Sequence, residues 1–133
     1  MIVVDLDGFE YDFRPRNKRK NEKKSSGHLK FRKVLPAIFP TISWVEECPI
    51  KVRQDKTLYF DFYIPVFSLA VEINGDQHLK YNHFLHRNKL NFLNSQKNDE
   101  LKKQFCEINN IRLVNLYYSE SEEEWKRKIK NGF

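Results

Sequence analysis

The stretch that decides the fold reads LYFDFYIPVFSLAVEINGDQH, from Leu58 to His78. Two runs rich in β-branched and aromatic residues, Leu58–Ile64 and Leu69–Asn74, flank a short link. Each alternates with the period of two that a strand requires. In the first run, Phe60, Phe62 and Ile64 are expected on one face and Tyr59, Asp61 and Tyr63 on the other. In the second, Leu69, Val71 and Ile73 alternate with Ala70, Glu72 and Asn74. With Val66-Phe67 at the tip of a hairpin, opposed residue numbers sum to 133, which sets Asp61 across from Glu72. Directly opposed Cβ atoms lie ~4.5–5.5 Å apart, and a symmetric widening of the loop keeps the register.

Two carboxylates facing each other in mid-sheet repel unless something positive lies between them. A divalent cation is the natural candidate, because hard oxygen ligands suit magnesium or manganese. The plain alternative is an edge hairpin with both acids in solvent. The apolar residues flanking each acid argue against it.

Outward from this hairpin, the chain alternates helical and strand-like patterns. Upstream, Ile2–Val4 and Phe9–Phe13 flank Asp7-Gly8, a pair suited to a tight turn. Ser25 or Ser26 can cap a helix running to about Phe39, with Leu29, Val34, Leu35 and Ile38 on one side and Pro36 expected to kink or end it. Ile42–Glu46 and Ile50–Arg53 read as two strands, with a turn at Gln54-Asp55-Lys56. Downstream, Asn82–Asn109 has helical spacing, broken into two helices at Asn94–Asn98, and Ile111–Tyr118 is one more strand. Ser121 with Glu124 forms a capping box for a terminal helix. The order predicts an α/β fold with a mixed four- to five-stranded sheet flanked by helices. The expected organisation is an N-terminal hairpin and basic arm, residues 1–24, ahead of a main domain, residues 25–133.

Composition narrows the partner. The 133 residues carry 24 Lys and Arg against 18 Asp and Glu, a net charge of +6. Arg14, Arg16, Lys18, Arg19, Lys20, Lys23, Lys24, Lys30, Arg32 and Lys33 crowd into one segment with a single acid, Glu22. That segment is +9 and the rest of the chain, 14 basic against 17 acidic, is −3. Such a block suits the phosphates of a nucleic acid, and it would draw a polyanion toward an acidic centre. No apolar run is long enough to span a membrane, and the acids in MIVVDLDGFE do not fit a signal peptide. Cys48 and Cys106 have no CxxC spacing, so a reducing, cytoplasmic setting is expected.

The motif D61-F-Y-I-P, followed by E72-I-N74-G75-D-Q-H78, resembles the PD-(D/E)XK nuclease superfamily, and more narrowly its Vsr-like phage and bacterial branch. Those relatives continue with a helix carrying D-x-x-K, a cysteine and an apolar strand; this chain reads D99-E-L-K102-K-Q-F-C106 and then I-R-L-V-N-L116. The resemblance covers about Ser25 to Tyr118. It implies a restriction-endonuclease-like core and Mg²⁺-dependent cleavage of DNA, Mn²⁺ being able to substitute. Asp61 and Glu72 would hold the metal, and His78 and Lys102 would stabilise charge or move a proton. His28, Asn74, Gln77 and Asp99 are further candidates. Asn74 stands where the superfamily usually has a lysine, and His28 stands about where many relatives carry a helix glutamate. The zinc-binding set of the mismatch-nicking enzymes is missing, so mismatch repair is not assigned.

Several signals have a bland reading. His78, His83 and His86 could suggest zinc, but no cysteine is near them. Asp99 and Lys102 are one turn apart and would pair on any helix surface. Cys106 reads as a small buried hydrophobe, and Phe60, Phe62, Phe67, Phe84, Phe92 and Phe105 as core. The resulting expectation is an endonuclease of a mobile element or of repair and recombination, as a homodimer or within a larger nucleoprotein or phage complex. The alternative is an inactive DNA-binding or assembly subunit of the same fold.

Overall fold

The computed structural model describes residues 1–17, 26–75 and 89–131, without the side chains of 89–92. A hairpin, β1 (Ile2–Val4) and β2 (Glu10–Asp12), precedes α1 (Ser26–Ile38). Three strands follow, β3 (Val45–Arg53), β4 (Lys56–Ile64) and β5 (Leu69–Asn74), and then α2 (Lys89–Ile108), β6 (Arg112–Tyr117) and α3 (Glu122–Lys130). The last four strands form one sheet in the order β3-β4-β5-β6. Its first three members are antiparallel, and β6 runs parallel to β5. A parallel neighbour needs a long crossover, and α2 lies within it. The architecture is therefore α/β, a four-stranded mixed sheet flanked by helices. Among the described residues no helix is long and apolar enough to cross a membrane.

Each face of the sheet has its own core. On one, Phe31, Val34, Leu35 and Ile38 of α1 meet Phe62, Ile64, Leu69, Val71, Val114 and Leu116, with Trp125 and Ile129 of α3 closing the layer. On the other, Leu101, Phe105 and Cys106 of α2 cluster with Cys48, Ile50, Val52, Leu58, Phe60, Tyr63 and Ala70, joined by Val3 and Phe13 beside the N-terminal hairpin. Full burial of one such side chain contributes ~1.5–3 kcal/mol, so both layers are needed for a stable chain of this size. The N-terminal segment also covers the β3 edge. Leu6 N–H donates to Val52 O at 2.8 Å, and Tyr11 Oη sits between Lys51 N (3.1 Å) and Lys51 O (3.0 Å). Covering an edge strand removes a site for unwanted strand pairing.

Several local expectations are corrected. The buried side of α1 carries His28 and Phe31, while Leu29 is exposed. Pro36 falls in the last turn of α1, which ends two residues further on at Ile38, as expected. The two strands expected around residues 42–53 are one, β3, running through Pro49; this is an edge strand, where a missing ladder donor is tolerated. Asn94–Asn98 does not break α2. Those residues each cost only a few tenths of a kcal/mol in a helix and include no Gly or Pro. Phe67, expected in the core, is 36% exposed and rests its ring on Phe39.

A further correction concerns the faces of β4. Phe60 packs with Tyr63 under α2, ring centroids 5.8 Å apart, while Phe62 faces α1. The alternation resets at Asp61. The pairs Glu46↔Phe62 and Cys48↔Phe60 bracket that residue and set Glu47 opposite it, and Glu47 is left-handed (φ 48°). A residue in that region bends its strand as a bulge does, so Cys48 and Phe60 both turn toward α2.

Candidate metal and phosphate site

The register at the turn is the one the alternation predicts. Phe62↔Val71, Tyr63↔Ala70 and Ile64↔Leu69 are paired. The loop is wider than two residues: Pro65–Phe67 form a 3₁₀ turn ended by Ser68 at φ 47°. Past Phe62 and Val71 the two acids replace the backbone ladder. Asp61 N–H donates to Glu72 Oε2 (2.9 Å), and Ile73 N–H donates to Asp61 Oδ2 (2.8 Å). Each carboxylate satisfies an amide of the neighbouring strand, which fixes both side chains at one level of the sheet.

The third member comes from α2. Lys102 donates from Nζ to Glu72 Oε1, in a pair whose side chains are 16% and 8% exposed. Burial pushes the Glu72 carboxyl up, and the negative charge of Asp61 pushes it further. The Lys102 cation opposes both, and Glu72 ends at about 8. Burial works against the Lys102 charge, but Glu72, Asp61 and Asp99 together hold its ammonium above the usual lysine range. The bland reading of Lys102 as an exposed helix ion pair is thereby replaced. Cys106 lies nearby, and burial, aided by Glu72, pushes its thiol up to about 12; it is a packed apolar group and not a nucleophile.

Glu72 and Lys102 border a cleft of about 310 Å³ between β5, β6 and α2, with Asn74, Asp99, Asn115 and Tyr117 along its walls. Asn74 Nδ2 donates to Asn115 Oδ1 at 3.1 Å. Among the described residues, no three His, Cys, Asp or Glu side chains come together as a metal cluster. The chemistry of the donor pair nonetheless fits a hard divalent ion. Two carboxylates lie at one level, one of them costly to ionise without a cation beside it, and magnesium is usually held by one or two carboxylates with water and phosphate oxygens completing its shell.

The other candidates have different placements. His28 is buried, with Nε2 2.7 Å from Glu46 Oε1 and its ring stacked on Phe62 at 4.4 Å. Arg32 forks the same carboxylate, Nη2 lying 2.6 Å from Oε1, and Trp44 Nε1 donates to Oε2 at 3.3 Å. His28 and Arg32 thus serve Glu46, a structural hub absent from the sequence expectations. Lys30 lies over the Trp125 ring at 4.3 Å and bonds Glu120 O. Arg14 pairs with Asp12, Arg16 lines a groove with Lys51, and Lys33 is exposed on α1. Lys18, Arg19, Lys20, Lys23, Lys24, Gln77, His78, His83, His86 and Phe84 lie outside the described residues, as does the side chain of Phe92.

Sequence reasoning passed over Asn115 and Tyr117, although their signal was present. In the apolar run of β6 they alternate with Val114 and Leu116, and the parallel register pairs Glu72 with Asn115 and Asn74 with Tyr117. Gln96 and Lys103 of α2 also line the cleft; nothing in their spacing marked them.

Fold and site together define an α/β chain with a carboxylate pair and a lysine at the edge of a polar cleft. Its sequence is 35% identical over 98 residues to uncharacterized protein 033L of Invertebrate iridescent virus 3, covering 71% of this chain and 50% of that protein. It is 44% identical over 62 residues to uncharacterized protein 307L of Invertebrate iridescent virus 6, covering 47% of this chain and 32% of that one. The chain therefore spans half the length of the first relative and about a third of the second. No family model matches the sequence, and no solved structure matches it significantly.

Proposed function

We propose that this chain is a Mg²⁺-dependent endonuclease with a restriction-endonuclease-like core, cleaving phosphodiester bonds of DNA. The observation that carries the reading is the Asp61–Glu72 pair on adjacent strands, each acid bonded to the other strand's backbone, with Lys102 on Glu72. The order of one helix, three antiparallel strands, a crossover helix and a parallel strand supports it, being the core that the sequence resemblance implies.

Asp61 and Glu72 would hold the ion. Bound there, magnesium (or manganese in its place) would draw charge from phosphoryl oxygens and acidify a water. Lys102 brings a positive charge to the cleft wall, where it can neutralise charge developing on a phosphodiester. Arg16, Lys33 and the basic segment before α1 would hold the flanking phosphates, an attraction that weakens as salt rises. His78 is the sequence's candidate for proton transfer. A monomer would nick; cutting both strands would call for two copies.

A second reading, an inactive DNA-binding or assembly subunit of this fold, is favoured by Asn74, which offers an amide bonded to Asn115 and no positive charge. Plasmid nicking in Mg²⁺ or Mn²⁺, compared among wild type, Asp61→Ala and Glu72→Ala, separates the two. Cleavage abolished by either substitution and by EDTA supports the enzyme. DNA binding with no cleavage of duplex, branched or single-stranded DNA supports the subunit.

A further inference from the structure

The polar cleft beside Glu72 and Lys102 has more shape and chemistry than a metal site alone requires. Its volume of about 310 Å³ lies at the low end of the ~300–1,000 Å³ usual for small-molecule sites, room for a group about the size of one nucleotide. We propose, resting on the nuclease reading, that this cleft receives a single unpaired nucleobase next to the scissile phosphate, so that single-stranded or flapped DNA is preferred over intact duplex.

The lining suits a base. Lys102 is engaged with Glu72, and Lys103 stands with Asp99 and Glu100 on the same walls. Carboxylates accept hydrogen bonds from exocyclic amino groups of a base. The walls also carry three carboxamides, Asn74, Gln96 and Asn115, with Tyr117 as the aromatic surface. The bond from Asn74 Nδ2 to Asn115 Oδ1 leaves Asn74 Oδ1 as an acceptor and Asn115 Nδ2 as a donor. Amide donors and acceptors used together are how proteins read the edge of a base.

Geometry ties the pocket to the cleavage site. In the parallel ladder Glu72 is paired with Asn115 and Asn74 with Tyr117, so a base held by the amides would place its own phosphate close to the carboxylates. In a duplex the Watson–Crick edges are occupied and the bases stacked, and side chains in a cleft can reach those edges only when a base is unpaired or extruded.

The test measures fluorescence anisotropy of labelled single-stranded, flapped and blunt duplex oligonucleotides of one length, in Ca²⁺ to limit cutting, with 2-aminopurine as the reporter base. Wild type should bind the single-stranded and flapped forms about tenfold more tightly than duplex, with a change in 2-aminopurine emission. Asn115→Ala should lose most of that preference. Gln96→Ala, a change on an exposed stretch of α2, should lose part of it and serves if the first variant folds poorly by circular dichroism. Equal affinity for duplex and single strand in wild type, or a preference retained in both variants, overturns the proposal. Asp61-dependent nicking without any such preference would sink this inference and leave the nuclease reading standing. No binding to any of the three would sink both.

Discussion

Glu72→Gln tests the electrostatics of the site without removing its shape. In the wild type the buried carboxyl titrates at about 8, against an ordinary value of 4.5. Between those values the folded chain holds a proton that the unfolded chain has lost, so stability falls as pH rises through the window. From pH 5 to pH 7.5 the loss is roughly 3 kcal/mol, at ~1.4 kcal/mol for each pH unit. Lys102 adds no slope there, because its ammonium is held above an already high value and stays charged in both states. Glutamine keeps the volume and cannot titrate. Urea unfolding in EDTA across this range should show wild-type stability falling by roughly 3 kcal/mol relative to the variant. Saturating Mg²⁺ should remove the difference in slope, because a cation favours the ionised pair. Parallel pH profiles for the two proteins, in EDTA, would refute the assignment of a costly buried charge at Glu72.

Two further outcomes follow from contacts outside the site. Gly27 lies where α1 crosses the end of the sheet, and a Cβ there would come 2.8 Å from Ile73 Cγ2 and 3.4 Å from Tyr118 Cδ2; Gly27→Ala should lower the unfolding free energy by about 1–2 kcal/mol despite the better helix propensity of alanine. Burial pushes the Glu46 carboxyl up, but Arg32, His28 and Trp44 more than offset it and hold it below its usual range. Its contribution is therefore complete above pH 4.5 and lost as pH falls toward the lower folded value. Glu46→Ala should cost roughly 2–3 kcal/mol at pH 7, by removing the carboxylate that buried His28 and half-buried Arg32 share, and should flatten the acid limb of the stability profile.

The parts of this fold legible in the sequence are those written in local alternation. Strict alternation through Leu69–Asn74 and a loop that widened symmetrically were enough to align Asp61 with Glu72. The Ser121 cap was equally local: Glu124 N–H donates to Ser121 Oγ at 3.2 Å. What alternation does not encode is a residue that breaks it. Nothing marks Glu47 as left-handed, and that one residue turns Phe60 away from Phe62. His28, which the resemblance sets about where many relatives carry a helix glutamate, instead serves Glu46, and nothing local marks a partner 18 residues away. Lys102 had a plausible local partner in Asp99, and only the docking of α2 over β5 brings it to Glu72.

Manganese diffused into crystals of the chain and located by its anomalous scattering tests the central claim most directly. The account predicts one ion within ~2.0–2.6 Å of carboxylate oxygens from both Asp61 and Glu72, with Lys102 Nζ shifted off Glu72, and no ion there in Asp61→Ala. An ion bound elsewhere, with cleavage that depends on that other position, would contradict it.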